Sequence, residues 1–243
     1  MRWGLAAALV AALAAGALVT AGGPAGSSDP PTVYAASSLR DVLTRIDRGA
    51  RYDFAGSGAL RLRIERGAPA DVFASASPRE PQALAAAGRC GRPVVFATNM
   101  LVLVTPRGAT RVRAVADLRR PGLRLAVGGD GVPVGAYTRT ALGRLGLGAL
   151  LDGPRVSRER DVASITAKVA LGSADAGFVY ATDVRTAEDR LRRIDLPAAA
   201  RPEVRYAACV VRGADASAAE AFLARLTGAA GRAALRDAGF GLP

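Results

Sequence analysis

Histidine is absent from the 243-residue chain, which also holds only two cysteines, two methionines, one tryptophan and a single lysine, Lys168. Without histidine there is no Ser-His-Asp or Cys-His nucleophilic site, no histidine general base and no histidine-ligated metal. Two cysteines cannot build a structural zinc site unaided. Aromatic residues make up 5% of the chain, too few for the interleaving with basic residues that stacks nucleic-acid bases. The 33 Lys+Arg outnumber 21 Asp+Glu, a net charge of +12. These cations are almost all arginines scattered through an Ala/Gly-rich background, so the sequence predicts no nucleic-acid partner. A positive field still helps draw in a small anion. Half of the residues are hydrophobic, ample for a core, and the length suits one large domain or two lobes of roughly 100 residues each.

The N-terminus has the layout of a secretory signal peptide. Met1-Arg2-Trp3 is short and positive, Leu5 to Val19 is apolar, and Val19 and Ala21 are the small residues at −3 and −1 of a cut after Ala21. No cysteine lies near that cut, which argues against a lipid-anchored product. Residues 1–21 therefore read as signal peptide, and the Gly/Ser/Pro-rich residues 22–31 as a disordered lead-in. Nothing downstream is long and apolar enough to span a membrane. Export places Cys90 and Cys209 in an oxidising compartment, where they either bridge or sit as two small buried hydrophobes.

Along the mature chain, short extended stretches alternate with amphipathic ones. Strands are predicted at Thr32–Ala35, Tyr52–Ala55, Asp71–Ala74, Val94–Phe96, Leu101–Val104, Leu123–Val127, Ala176–Tyr180, Leu191–Leu196 and Arg205–Val211. Helices are predicted at Leu39–Ile46, after Gly58, at Pro81–Ala87, Ala136–Leu145 and Val162–Leu171, with two more between Ala218 and Ala238. The alternation predicts an α/β protein with mostly parallel sheets. The chain has no nucleotide-binding glycine loop and no Gly-x-Ser-x-Gly elbow.

One pattern carries chemistry. Ser38, Ser57, the Val132-Pro133-Val134-Gly135 turn and Asp161-Val162 each begin a helix after a strand. A helix start offers unpaired N–H groups and partial positive charge, which suits an oxyanion. Serine adds a hydroxyl donor there, and adjacent glycine allows close backbone approach. Singly, each start reads as an ordinary cap; facing one point, several could hold a dehydrated dianion without any Lys or Arg.

Specific stretches extend this reading. Val33-Tyr34-Ala35-Ala36-Ser37-Ser38-Leu39 resembles the opening of periplasmic molybdate-binding proteins of ABC importers. Phe54-Ala55-Gly56-Ser57-Gly58-Ala59-Leu60, followed by Ile64 to Ala76, carries the most specific likeness. The likeness continues through Asn99–Val104, Val132–Tyr137, Asp161-Val162, Asp175–Asp183 and the tail from Ala221 to Phe240, in order over the mature chain. The resemblance implies a two-lobed periplasmic-binding-protein (type II) fold with a hinge and an interlobe cleft. It places residues 32–104 and 191–243 in lobe 1 and 105–190 in lobe 2, with hinge crossovers near Val104 and Leu191. It also implies a monomer that is not an enzyme, needs no cofactor and delivers molybdate, or tungstate, to a membrane permease. Ser38 and Ser57 would each give a hydroxyl and an N–H, Val134 and Val162 an N–H each, and Tyr180 its phenol. Molybdenum would enter only as the bound oxyanion.

The chain departs from the family pattern in four places. Val134 stands where a small residue is usual, which tightens or shifts the pocket, and Arg63 replaces a glutamine. The segment between Leu39 and Phe54 is shortened, and the Gly128–Gly131 loop lacks one residue. Other readings stay open. Sulfate or phosphate could be the oxyanion, although monoprotonated phosphate would need an acceptor, and Asp161 is better explained as a helix cap. From another class, a secreted Ser-Lys hydrolase would have Lys168 as its base.

Overall fold

The computed structural model describes residues 29–243, so the expected signal peptide and residues 22–28 lie outside the described residues. The first part of the chain builds β1 (Thr32–Ala36), a 3-10 turn (Ser37–Leu39) running into α1 (Arg40–Ile46), β2 (Arg51–Ala55), α2 (Ser57–Glu65), β3 (Val72–Ser75) and α3 (Arg79–Ala86). Next come β4 (Val94–Asn99), β5 (Leu101–Pro106), β6 (Leu125–Gly128), α4 (Pro133–Arg144), β7 (Val156–Glu159), α5 (Val162–Ala170), β8 (Ala176–Tyr180) and α6 (Ala181–Arg185). The chain closes with β9 (Leu191–Asp195), β10 (Val204–Val210), α7 (Ala216–Thr227) and α8 (Ala229–Asp237). No described helix is long and apolar enough to cross a membrane.

The strands form two five-stranded sheets, ordered β2-β1-β3-β10-β4 and β7-β6-β8-β5-β9. Fully buried strands read as continuous apolar runs, as in Leu101-Val102-Leu103-Val104 and Ala176-Gly177-Phe178-Val179-Tyr180. The flanking helices turn one apolar stripe inward: α5 buries Val162, Ile165 and Val169. On α7, Asp215 caps the start by accepting from Ser217 N and Ala218 N at 3.0 and 3.2 Å.

The sheets are mixed rather than mostly parallel. Strands linked through helices, β1 with β2 and β3 and β6 with β7 and β8, are parallel. β10 runs antiparallel to β3 and β4, and β5 antiparallel to β8 and β9. The antiparallel members are the strands at which the chain passes between sheets, where no crossover helix reverses its direction. The passages also differ in position from the expected Val104 and Leu191. β4 ends at Asn99 and β5 starts at Leu101 in the other sheet, while β9 still belongs to that second sheet. The first crossover is thus Met100, and the second lies between Asp195 and Val204. Two elements have no signal in the sequence reading. β7 is an edge strand of sequence Val-Ser-Arg-Glu without apolar alternation, and α6 is only five residues long.

Cys90 and Cys209 are both free and buried in one small apolar cluster with Tyr34, Leu60, Phe73 and Leu84. Cys90 Sγ donates to Pro81 O at 3.4 Å. Of the two readings left open, the structure adopts the buried-hydrophobe one.

Candidate functional site

Each strand end that enters a helix at the facing edges of the two sheets leaves backbone donors over. α2 begins at Ser57 after Gly56, and α4 begins at Pro133 after Val132; neither cap residue supplies a side-chain hydrogen bond. The same holds for Ala36 ahead of the Ser37–Leu39 turn. Proline at the first position of α4 has no N–H, so Val134 carries the first donor of that helix. At α5, Asp161 is spent as a cap on Ser164 N at 2.8 Å. The N–H of Val162 therefore stays uncapped at the first helical position, where no intrahelical partner exists.

These ends meet at one small cleft lined by Ser38, Ser57, Val134, Val162 and Tyr180, with Ala36, Ala55, Gly56 and Ala76 among the apolar residues between them. All five residues singled out from the sequence are thus brought together, two from the first sheet's side and three from the second's. Among the described residues, no charged side chain lines the cleft. A much larger groove of about 940 Å³ lies behind Ser37 and Ser38, but Arg40, Asp41, Arg185 and Asp189 line it. Charges of both signs suit open solvent rather than burial of one small anion.

The hydroxyls are held in specific ways. Ser57 is buried, and its Oγ accepts the N–H of Ala76 at 3.2 Å, which frees its own proton. Ser38 Oγ lies 2.9 Å from Tyr206 Oη. Tyr180 is 1% exposed, and its Oη is buried with no hydrogen-bond partner among the described residues. Its ring is fixed edge-on between Tyr137, 6.4 Å away at 74°, and Tyr206, 5.7 Å away at 64°. Burial first, then the neighbouring Tyr206, Tyr137 and Asp183, push the Tyr180 phenol well above its usual range, so it remains a proton donor. An unpaired buried hydroxyl destabilises a protein by about 1–3 kcal/mol.

The lobes are closed over this cleft. A Cβ on Gly56 would stand 2.3 Å from Arg160 O, and one on Gly58 would stand 2.2 Å from Gly131 O. Both are backbone atoms across the interface, so only glycine lets the β2–α2 turn approach the second lobe this closely. Two of the sequence departures have clear places in the fold. The Val134 side chain packs over Gly128 in the core of the second lobe. Arg63 pairs with Asp53 at 2.5 Å on the exposed surface, away from the cleft. Lys168 does not approach Ser38 or Ser57: its Nζ contacts Ser157 Oγ at 2.6 Å and Glu159 Oε1 at 2.7 Å beside β7. That ion pair leaves no Ser-Lys couple at the cleft.

Asp183, which begins no part of the cleft itself, caps α6 by accepting the N–H of Tyr180 at 2.9 Å. Burial, with a smaller contribution from Asp41, pushes its carboxyl up to about 7, against the lowering effect of the Tyr180 N–H. An acid with a raised folded pKa binds its proton in the native state where the unfolded chain has lost it. Its contribution is therefore fully present below about pH 4 and lost as pH rises toward 7, at up to about 1.4 kcal/mol per pH unit. Asp183→Asn keeps the acceptor and removes the titration. Thermal melts at pH 5 and pH 8 should show a smaller drop for the variant than for wild type; equal drops would assign the titration elsewhere.

Comparisons with known proteins agree with this architecture. The family model described as bacterial extracellular solute-binding protein matches residues 31–241. The molybdate-binding protein ModA of Mycobacterium tuberculosis H37Rv is 37% identical over 265 aligned positions, covering 100% of both chains. The periplasmic molybdate-binding protein of Azotobacter vinelandii superposes with a TM-score of 0.80 at 24% identity, covering 88% of this chain and 99% of that one. The sulfate-binding protein SubI of M. tuberculosis H37Rv superposes with a TM-score of 0.74 at 16% identity, over 88% and 86% of the two chains. Both structures share the two-lobed type II fold seen here. The chain belongs to the bacterial extracellular solute-binding proteins, and within them to the family of ModA.

Proposed function

We propose that the protein captures molybdate, or tungstate, in the interlobe cleft outside the cytoplasm and delivers it to an ABC permease in the membrane. One observation carries the reading: Ser38, Ser57, Val134, Val162 and Tyr180 converge on a cleft that, among the described residues, has no charged side chain and no partner for the buried hydroxyl of Tyr180. Burying a dianion requires that its oxygens be hydrogen-bonded throughout. Neutral N–H and O–H donors meet that need with charge-assisted bonds, and none of them titrates near neutral pH. Closure contributes donors from both lobes, and an open form would present only half of them, so the anion selects the closed state. A permease then meets two lobe faces whose relation reports that the site is filled.

The ligand choice rests on the ModA relationship together with the donor set. Sulfate carries the same charge and shape class, so cavity size and donor geometry decide between it and molybdate. Monoprotonated phosphate has a proton to donate, and among the described residues no carboxylate lines the cleft to accept it. Calorimetric titration of the purified chain with molybdate, tungstate, sulfate and phosphate tests the reading. Molybdate and tungstate should bind at least about a hundredfold more tightly than sulfate, a difference of about 2.7 kcal/mol, and phosphate should give no signal. Tight phosphate binding without a molybdate signal would overturn the assignment. Ser57→Ala should weaken molybdate binding by about 1.5–3 kcal/mol, the usual worth of a hydrogen bond to a charged group. Unchanged affinity would place the anion elsewhere.

A further inference from the structure

We infer that Tyr206, which does not line the cleft, is a positioning residue that sets which way the Ser38 hydroxyl donates, acting from a relay rooted at the crossover between the sheets. The inference rests on the oxyanion reading and adds a residue to it. The argument is one of proton order. Asn99 Oδ1 accepts the N–H of Met100 at 2.9 Å, and since that N–H can only donate, the orientation of the Asn99 amide is fixed. Its Nδ2 end therefore faces Thr182 Oγ1 at 2.9 Å and Tyr206 Oη at 3.5 Å, as donor to both. Tyr206 is fully buried, so no solvent competes for its phenol. Having accepted from Asn99, it has one proton left, and Ser38 Oγ at 2.9 Å is the partner in reach.

Ser38 Oγ is then the acceptor of that bond, and its own proton is left for the cleft. Ser57 receives the same treatment from the N–H of Ala76. The two serines of the first lobe are thus each supplied from behind, one by backbone and one by a phenol. Tyr206 is itself locked by edge contacts to Tyr180, Phe96 and Phe240, with centroids 5.7, 6.2 and 5.4 Å away. Burial first, and then Asp183, keep its phenol protonated and thus able to donate. The far end of the relay joins Asn99, the last residue of β4, to Thr182 in α6 of the second lobe. A residue that ends one sheet thereby links the second lobe to a ligand hydroxyl in the first.

The test is a double-mutant cycle read by calorimetric titration with sodium molybdate. Tyr206→Phe removes only the hydroxyl and should weaken binding by about tenfold, the upper range for one oriented hydrogen bond. In a Ser38→Ala background the same change should lower affinity less than about twofold, because the group it orients is gone. A purely structural role would make the two losses multiply, which would overturn the inference, as would a Tyr206→Phe affinity equal to wild type. Asn99→Ala, which leaves the buried phenol in place, provides the second variant if Tyr206→Phe melts before it can be titrated. It frees Tyr206 to rotate its proton and should lower affinity by about threefold, again only when Ser38 is present. Wild-type protein silent toward molybdate and tungstate would instead overturn the functional reading, an outcome distinct from any difference between variants.

Discussion

Gly56→Ala is expected to bind molybdate at least about a hundredfold more weakly than wild type while each lobe stays folded. Gly56 has φ −66° and ψ 135°, a conformation that alanine adopts freely, so the substitution strains no local backbone. The obstacle is across the interface: the new methyl would stand 2.3 Å from Arg160 O, a backbone atom that cannot swing aside. The lobes must part, and the N–H donors of Val134 and Val162 and the hydroxyl of Tyr180 retreat with the second lobe. Losing two or more of these hydrogen bonds to a charged oxyanion accounts for about 3 kcal/mol or more. Solution scattering with saturating molybdate should show the variant in a more extended envelope than wild type. Wild-type affinity in Gly56→Ala would mean that the closure seen here is not the binding geometry.

Tyr180→Phe is expected to act with opposite signs on stability and on binding. In the closed conformation seen here the Tyr180 hydroxyl is buried and meets no hydrogen-bond partner among the described residues, so replacing it with hydrogen removes an unsatisfied group worth about 1–3 kcal/mol and stabilises that conformation. The melting temperature without ligand should therefore rise. Molybdate affinity should fall by about ten- to a hundredfold, since a donor to a charged oxygen is gone. The stabilisation that saturating molybdate confers on wild type by mass action should shrink accordingly. Thermal melts with and without 1 mM molybdate, about a thousandfold above a micromolar Kd, check both signs together. A variant destabilised without ligand would show that the hydroxyl has a partner in the protein; unchanged ligand stabilisation would show that it does not touch the anion.

Four of the five candidate residues, Ser38, Ser57, Val134 and Val162, were legible because each belongs to a local helix start, whereas Tyr180 was singled out only through the family resemblance. A strand, a short turn and a helix start occupy a few consecutive residues, as in Ala55-Gly56-Ser57-Gly58 or Val132-Pro133-Val134, and local units leave local patterns. The edge strand β7 was not legible, because it leaves no such pattern. β7 lies at a sheet edge with one residue exposed and three partly buried, so no alternation marks Val-Ser-Arg-Glu as a strand. The sheet to which β5 and β9 belong is likewise not written in either segment. Leu101–Pro106 is equally apolar in either lobe, and only its pairing with β8 and β9 assigns it to the second.

The sequence by itself determined the α/β class, the helix starts that offer free donors, and, through the absence of histidine, the exclusion of histidine-based catalytic and metal sites. Tertiary structure alone decided that Tyr206, 168 positions beyond Ser38, stands behind its hydroxyl, and that Arg160 O rests where a side chain on Gly56 would be. The division follows from range. Propensity and capping act over a few residues and are encoded where they act, whereas proton order and interlobe approach depend on atoms that only folding brings together.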